Sequence, residues 1–217
     1  YIGAMQSYSR TVAATMSTNS TTVPLYLGTL TDAYTHYCIL QDDTNVANCT
    51  WVAGTVPANY LVTSGDATKV IGLWVRDAAG NVSPRIDANP VTLDTVAPVL
   101  ASATVTNSTP TNSTVFNLSY GAQTGAYASY CIRENNTASA GCAWVLGSLP
   151  ATYAVSTAQN AKVLSIWLRD SAGNLSSRVD TNAVTLDTSA PVLASATISN
   201  SSPSTVRTYG LSYGTVT

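Results

Sequence analysis

Few side chains in this sequence can do chemistry, and most of them recur in pairs. Four cysteines stand as Cys38/Cys49 and Cys131/Cys142, with ten residues between the members of each pair. A thiolate pair at that spacing, with no repeated histidine, lacks the ligand pattern of zinc. The spacing favours one disulfide across a hairpin in each half, which implies an oxidising compartment. Closing so short a loop contributes about 2–3 kcal/mol. His36 lies beside Cys38, as a base would beside a nucleophile, but its counterpart is Ser129, so the pairing does not repeat. No catalytic residue is expected. Asp77, Asp87 and Asp94 return as Asp170, Asp180 and Asp187. Calcium wants six to eight oxygens at one point. Acids this scattered read first as turn caps and as Arg85/Asp87 and Arg178/Asp180 pairs, with calcium the lesser alternative and no other cofactor or metal expected. Lys69 and Lys162, the only lysines, each open a strand and read as solvent-exposed.

These residues recur because the chain repeats. Shifted by 93 positions, the sequence falls on itself without a gap. Tyr37-Cys38-Ile39 lands on Tyr130-Cys131-Ile132, Trp51 on Trp144, and "VTLDT" at 91–95 on "VTLDT" at 184–188. "APVLASATVTNSTP" at 97–110 returns as "APVLASATISNSSP" at 190–203. A unit of this size can fold alone, unlike the short units of solenoids. The expected division is domain 1 over 1–95, domain 2 over 96–188, and the first two strands of a third over 189–217.

Apolar residues alternate with period two between turn residues. In the second copy strands are expected near 100–106, 114–120, 127–133, 142–147, 151–156, 162–169 and 176–187, with no helix. Seven short strands in such a unit favour an immunoglobulin-like sandwich. Along "VLSIWLRD", Leu164, Ile166 and Leu168 share the inward face, while Trp167 and Arg169 share the outer one. Trp74 and Arg76 do the same in the first copy. These four residues form a possible binding face for a glycan or protein. The tryptophans read first, however, as covered by an arginine stem or a neighbouring loop.

"GLWVRDAAGNVS" at 72–83 and "SIWLRDSAGNLS" at 165–176 carry the clearest local signal. Asp77 and Asp170 end a strand and can cap following N–H groups. Gly80 and Gly173 supply a positive φ, and Asn81 and Asn174 can satisfy leftover backbone groups. This D-x-A-G-N turn after "W-V-R", the "L-P-x-x-Y-x-V-S" segment and the "L-D-T-x-A-P-V" junction resemble tandem bacterial Ig-like repeats of large surface and secreted proteins, many of them adhesins. The resemblance implies an all-β linear array of Ig-like sandwiches in an extracellular or cell-surface setting. It also implies partners among neighbouring repeats of the same chain or of its copies.

Bulk composition agrees. Hydrophobic residues are 45%, enough for real cores, while charged residues are only 9%. An average soluble protein carries about 25% charge. A surface kept polar by hydroxyls and amides is more often extracellular. A net charge of −2 without a basic run argues against nucleic acid. No apolar run is long enough to insert into a membrane. Three roles are compatible: a stalk or fibre segment, a glycan- or protein-binding module hinted at by Tyr1, Tyr8, Tyr26 and Tyr34, and an accessory repeat of a secreted enzyme. The two strands of 189–217 would expose Val192, Ile198 and Leu211. That end would be covered by continuation of the repeat, by folding back, or by donation to a neighbouring chain.

Overall fold

A computed structural model describes residues 16–30, 32–198, 205, 207–208 and 210–216. Tyr1 and Tyr8 lie outside the described residues. Strand pairing stays within a repeat. In the first, a four-stranded sheet runs Val52–Ala53, His36–Gln41, Ile71–Arg76, Ile86–Asp87. In the second, the order is Val145–Leu146, Ser129–Glu134, Leu164–Arg169, Val179–Asp180. The opposing layer of the second repeat is Ala103–Val105, Val115–Tyr120 and Thr152–Ala154, with Ala161–Lys162 paired to Val184–Thr185. The chain is all-β, and its only described helical turn is the 3-10 segment Val46–Asn48.

Two expected strands are each two strands. The stretch 162–169 changes sheet at Val163. Asn135, at φ 48°, donates its N–H to the Val163 carbonyl at 2.8 Å and accepts the Val163 N–H on Oδ1 at 2.9 Å. Asp42, at φ 54°, holds Val70 in the same way, both bonds 2.7 Å. An Asx residue tolerates this conformation better than other side chains, so it can sit at the corner and satisfy both backbone groups of the crossing residue. The stretch 176–187 crosses back at Thr181 and Asn182. Asn182 donates to the Val105 carbonyl and accepts its N–H, bridging the layers. Unbroken apolar patterning through "KVLSIWLRD" hides the first corner, because both sheets bury their share of it.

The cores are also separate. Val23, Val62, Ile71, Val91 and Leu93 pack together in the first repeat. Val105, Phe116, Val155, Leu164, Val184 and Leu186 do so in the second, beside Leu100, Ala103, Ile166 and Leu168. The inward placement of Leu164, Ile166 and Leu168 is as the alternation requires. Between residues 196 and 213, Ala196–Ile198 pairs with Leu211–Tyr213 as a hairpin. It leaves Ile198 61% exposed, whereas its counterpart Val105 is 2% exposed. Val192 and Leu211 are exposed as well.

Candidate functional site

The outer face of each four-stranded sheet gathers the repeated chemistry-bearing residues. Cys38 lies opposite Trp74 across the strand pair, and Cys131 opposite Trp167. Directly opposed residues share a face, so each cysteine stands on its tryptophan's face. Cys38 is bonded to Cys49 and Cys131 to Cys142. A disulfide-closed loop therefore leaves each sheet on the same face as its tryptophan. Trp74 and Trp167 are each 4% exposed. The rings are thus covered, as the first reading has it, and the alternative of an open binding face at Trp74 and Trp167 is corrected. Alternation along one strand could not reveal this cover, which lies outside the strand's own pattern.

The arginines of that face turn to other rings. Arg76 lies 4.6 Å from the centroid of Trp51, and Arg169 lies 4.4 Å from that of Trp144. Such stacks contribute about 0.5–1 kcal/mol where partly exposed. Arg85 reaches over Trp74 at 5.6 Å. It can do so because Gly72 beneath it has no side chain to obstruct the guanidinium. The second repeat has Ser165 there. Its hydroxyl donates to Asp180 at 2.6 Å, and Arg178 instead donates to the Thr137 carbonyl. His36 Nδ1 lies 2.9 Å from the Thr35 hydroxyl.

The lysines overturn another expectation. Lys162 is 1% exposed and Lys69 7%. Lys162 Nζ donates to Glu134 Oε1 and Ser156 Oγ, both at 2.6 Å. Glu134 also accepts the Ser156 N–H at 2.7 Å. Burial pushes the Glu134 carboxyl up, but bonds from Lys162 and Ser156 outweigh that and hold it below its ordinary range. In the first repeat Gln41 replaces Glu134 and keeps the backbone bond, accepting Thr63 N–H at 2.8 Å. The carboxylate has moved one residue on, to Asp42. The Val70 N–H is the main cause of its lowered pKa, and the charge of Lys69 contributes. Each repeat thus keeps one acid near its lysine, which a buried ammonium requires. Sequence reasoning missed this because a lysine at a strand end reads as solvated. The signal was available in the exchange of Gln-Asp for Glu-Asn.

The D-x-A-G-N turns are built alike. Asp77 accepts the Asn81 N–H at 2.8 Å and its side-chain amide at 2.7 Å, and those bonds lower its pKa. Asp170 accepts the same two groups from Asn174, both at 2.8 Å. Gly80 and Gly173 have φ of 94° and 97°. The acids considered for calcium are spread among other tasks. Asp87 and Asp180 pair with Arg85 and Arg178. Asp94 and Asp187 accept the N–H groups of Val96 and Ser189. Among the described residues no three His, Cys, Asp or Glu side chains gather as a metal site would require. An open recess of about 450 Å³ near the 123–127 and 147–148 loops is lined by Gln123, Gly125, Tyr127 and Ser148. Its Tyr127 hydroxyl already accepts the Leu149 N–H.

Together the layers and their connections define an all-β chain of immunoglobulin-like and fibronectin-III-like sandwiches. No family model matches the sequence, and no curated protein matches it. Among solved structures, the fibronectin(III)-like modules of Clostridium thermocellum CbhA are similar in fold. They overlay with a TM-score of 0.50 at 11% identity, covering 80% of this chain and 90% of theirs. The D00-D0 domain of intimin matches at 14% identity over 82% of this chain and 98% of its own, with a TM-score of 0.26. A Bacteroides ovatus mixed-linkage glucan utilization protein, SGBP-B, solved with a heptasaccharide, matches at 12% identity. That match covers 92% of this chain and 55% of the other, with a TM-score of 0.28. Scores this low do not overlay whole chains.

Proposed function

We propose that this chain is a structural segment, a stalk or fibre stretch, of an extracellular adhesin-like surface protein. In this reading residues 1–95 and 96–188 are successive Ig-like domains and 189–217 begin a third. It assigns no catalysis and no resident cofactor. The observation that carries it is the duplication of structural devices. Both repeats hold a disulfide on the face of a buried tryptophan, an arginine on a second tryptophan, a buried lysine with its acid, and an Asp-Asn turn. The disulfides support an exported setting. Glycan or protein recognition would expect an aromatic surface in one repeat that the other lacks: Tyr26 is 90% exposed where the second repeat has Ser119, while the buried Trp74 and Trp167 offer no such surface. Labelled full chain on a glycan array should give no signal above background. Small-angle scattering should give a radius of gyration well above the roughly 17 Å of one compact body of this length. Dose-dependent binding of one glycan class would replace the stalk with a binding module.

A second reading is a self-assembling filament subunit that donates strands. The exposed apolar side chains Ile198, Leu211 and Tyr213 on the hairpin favour it, since unpaired apolar edges attract partners.

A further inference from the structure

The two Asp-x-Ala-Gly-Asn turns have matching internal bonds but different surroundings. Ala79 and Asn81 are exposed, whereas Ala172 and Asn174 are buried, at 8% and 9% exposure. The first repeat reaches the second turn. Asn174 Nδ2 donates to the Asp94 carbonyl at 2.8 Å and also to the Asp170 carboxylate. Both amide hydrogens are thus committed, one inside the turn and one across the joint. Gly173 lies close to the Asn19 side chain.

The carbonyl that accepts this bond is held in place by its own repeat. The Asp94 N–H donates to the Thr18 carbonyl at 3.0 Å, extending the pairing of Met16–Thr18 with Val91–Leu93. Thr95 donates its hydroxyl to Asp66 at 2.9 Å. The Asp94 carboxylate accepts the Val96 N–H at 3.0 Å and so orders the start of the connection. The connection is fastened again at its far end. Pro98 is fully buried, and Gly125 packs against it with no side chain between them. Between the Asp94 and Pro98 anchors only Thr95, Val96 and Ala97 remain. A lone connection of this kind is a pivot, and relative motion of neighbouring domains is the default where little bridges them. A second contact away from the pivot removes that freedom. Asn174 supplies it, from 80 residues further along the chain.

We infer that the Asp170–Asn174 turn locks the joint between the two repeats, with Asn174 the positioning residue that fixes their relative orientation through the Asp94 carbonyl. The lock is a hydrogen bond between neutral groups beside the buried Ala172. It deepens the stalk reading and rests on it in taking the repeats as structural. A locked joint transmits bending from one repeat to the next, where a pivot would absorb it.

Residual dipolar couplings on isotope-labelled full chain read the lock directly. In the native chain one alignment tensor should fit the backbone of both repeats. Ala172→Arg wedges the joint open and should split the fit into two tensors, one per repeat. Asn174→Ala, the milder change, decides the matter if Ala172→Arg unfolds the second repeat. It should lower the ratio of docked to open joints by about fivefold, the net worth of one hydrogen bond, and so degrade the common fit. Asn81→Ala and Ala79→Arg make the same changes in the exposed turn and should leave the single tensor intact. Two tensors in the native chain, or an unchanged fit in a folded Asn174→Ala or Ala172→Arg, overturns the lock. Equal degradation in Asn81→Ala assigns the effect to the stability of the turn itself and overturns it too. A joint that proves loose leaves the stalk reading standing, whereas dose-dependent glycan binding ends that reading and leaves the joint untouched.

Discussion

Lys162 shows how much one buried charge commits its neighbours. Its ammonium is out of water, so the Glu134 carboxylate and Ser156 hydroxyl replace the solvent it lost. Removing one partner of such a pair costs about 3–5 kcal/mol, because the other charge stays buried and uncompensated. Glu134→Gln should therefore lower the stability of the second repeat by about that amount at neutral pH, read from urea melts. The pH dependence has a definite sign. Glu134 has a folded pKa below its unfolded value, so as pH falls the unfolded chain takes up the proton first. The stabilisation is complete above the unfolded value and is lost as pH falls through the folded one. Glu134→Gln should flatten that acid limb. A melt unchanged at neutral pH would mean that the lysine finds water or another acceptor.

The Asp-x-Ala-Gly-Asn turn and the disulfide loop act at the level of whole elements. Asp170 satisfies a backbone N–H and an amide at once, and it is buried. Asp170→Ala should destabilise the second repeat by about 1–2 kcal/mol, by analogy with lost caps. Chelator should leave wild type unaffected. A melting temperature that chelator lowers in wild type but not in the variant would reassign Asp170 as a metal ligand. Cys131→Ser combined with Cys142→Ser should cost about 2–3 kcal/mol from loop closure. It should also raise Trp167 fluorescence quenching by a neutral quencher, since the loop on that face is no longer pinned. Stability loss without a change in quenching would mean that the ring's cover does not depend on the covalent tie.

For the whole molecule, exposed apolar side chains occur in both repeats, Tyr26 at 90% and Leu146 at 83% among them, and the hairpin that begins the third copy adds its own. Ile198, Leu211 and Tyr213 stand in solvent where the second repeat buries or half-buries Val105, Leu118 and Tyr120. A chain ending at Thr188 should bind less of a hydrophobic fluorescent dye than the full chain, with the unfolding midpoint of the second repeat unchanged. If the midpoint fell by the equivalent of more than about 1 kcal/mol, outside the usual range for remote surface changes, the hairpin would be packing back on that repeat. If the shortened chain stayed monomeric while the full one formed filaments, strand donation would be the better account of assembly.

The sequence by itself determined the fold class, the period and the residues of the turns and disulfides. Those features rest on short-range rules: alternation along a strand, positive φ at glycine, an Asx cap, two cysteines across one loop. Tertiary structure alone decided what lies on top of those elements. Trp74 and Trp167 alternate outward and are nonetheless buried on the face that also carries the disulfide, with Arg85 reaching over Trp74. Lys69 and Lys162 sit at strand ends and are nonetheless buried, because the chain changes sheet there and carries the ammonium inside. Asn81 and Asn174 are the same residue in the same turn. They differ only because the first repeat stands against the second turn, and exposure depends on neighbours in space that spacing along the chain does not encode.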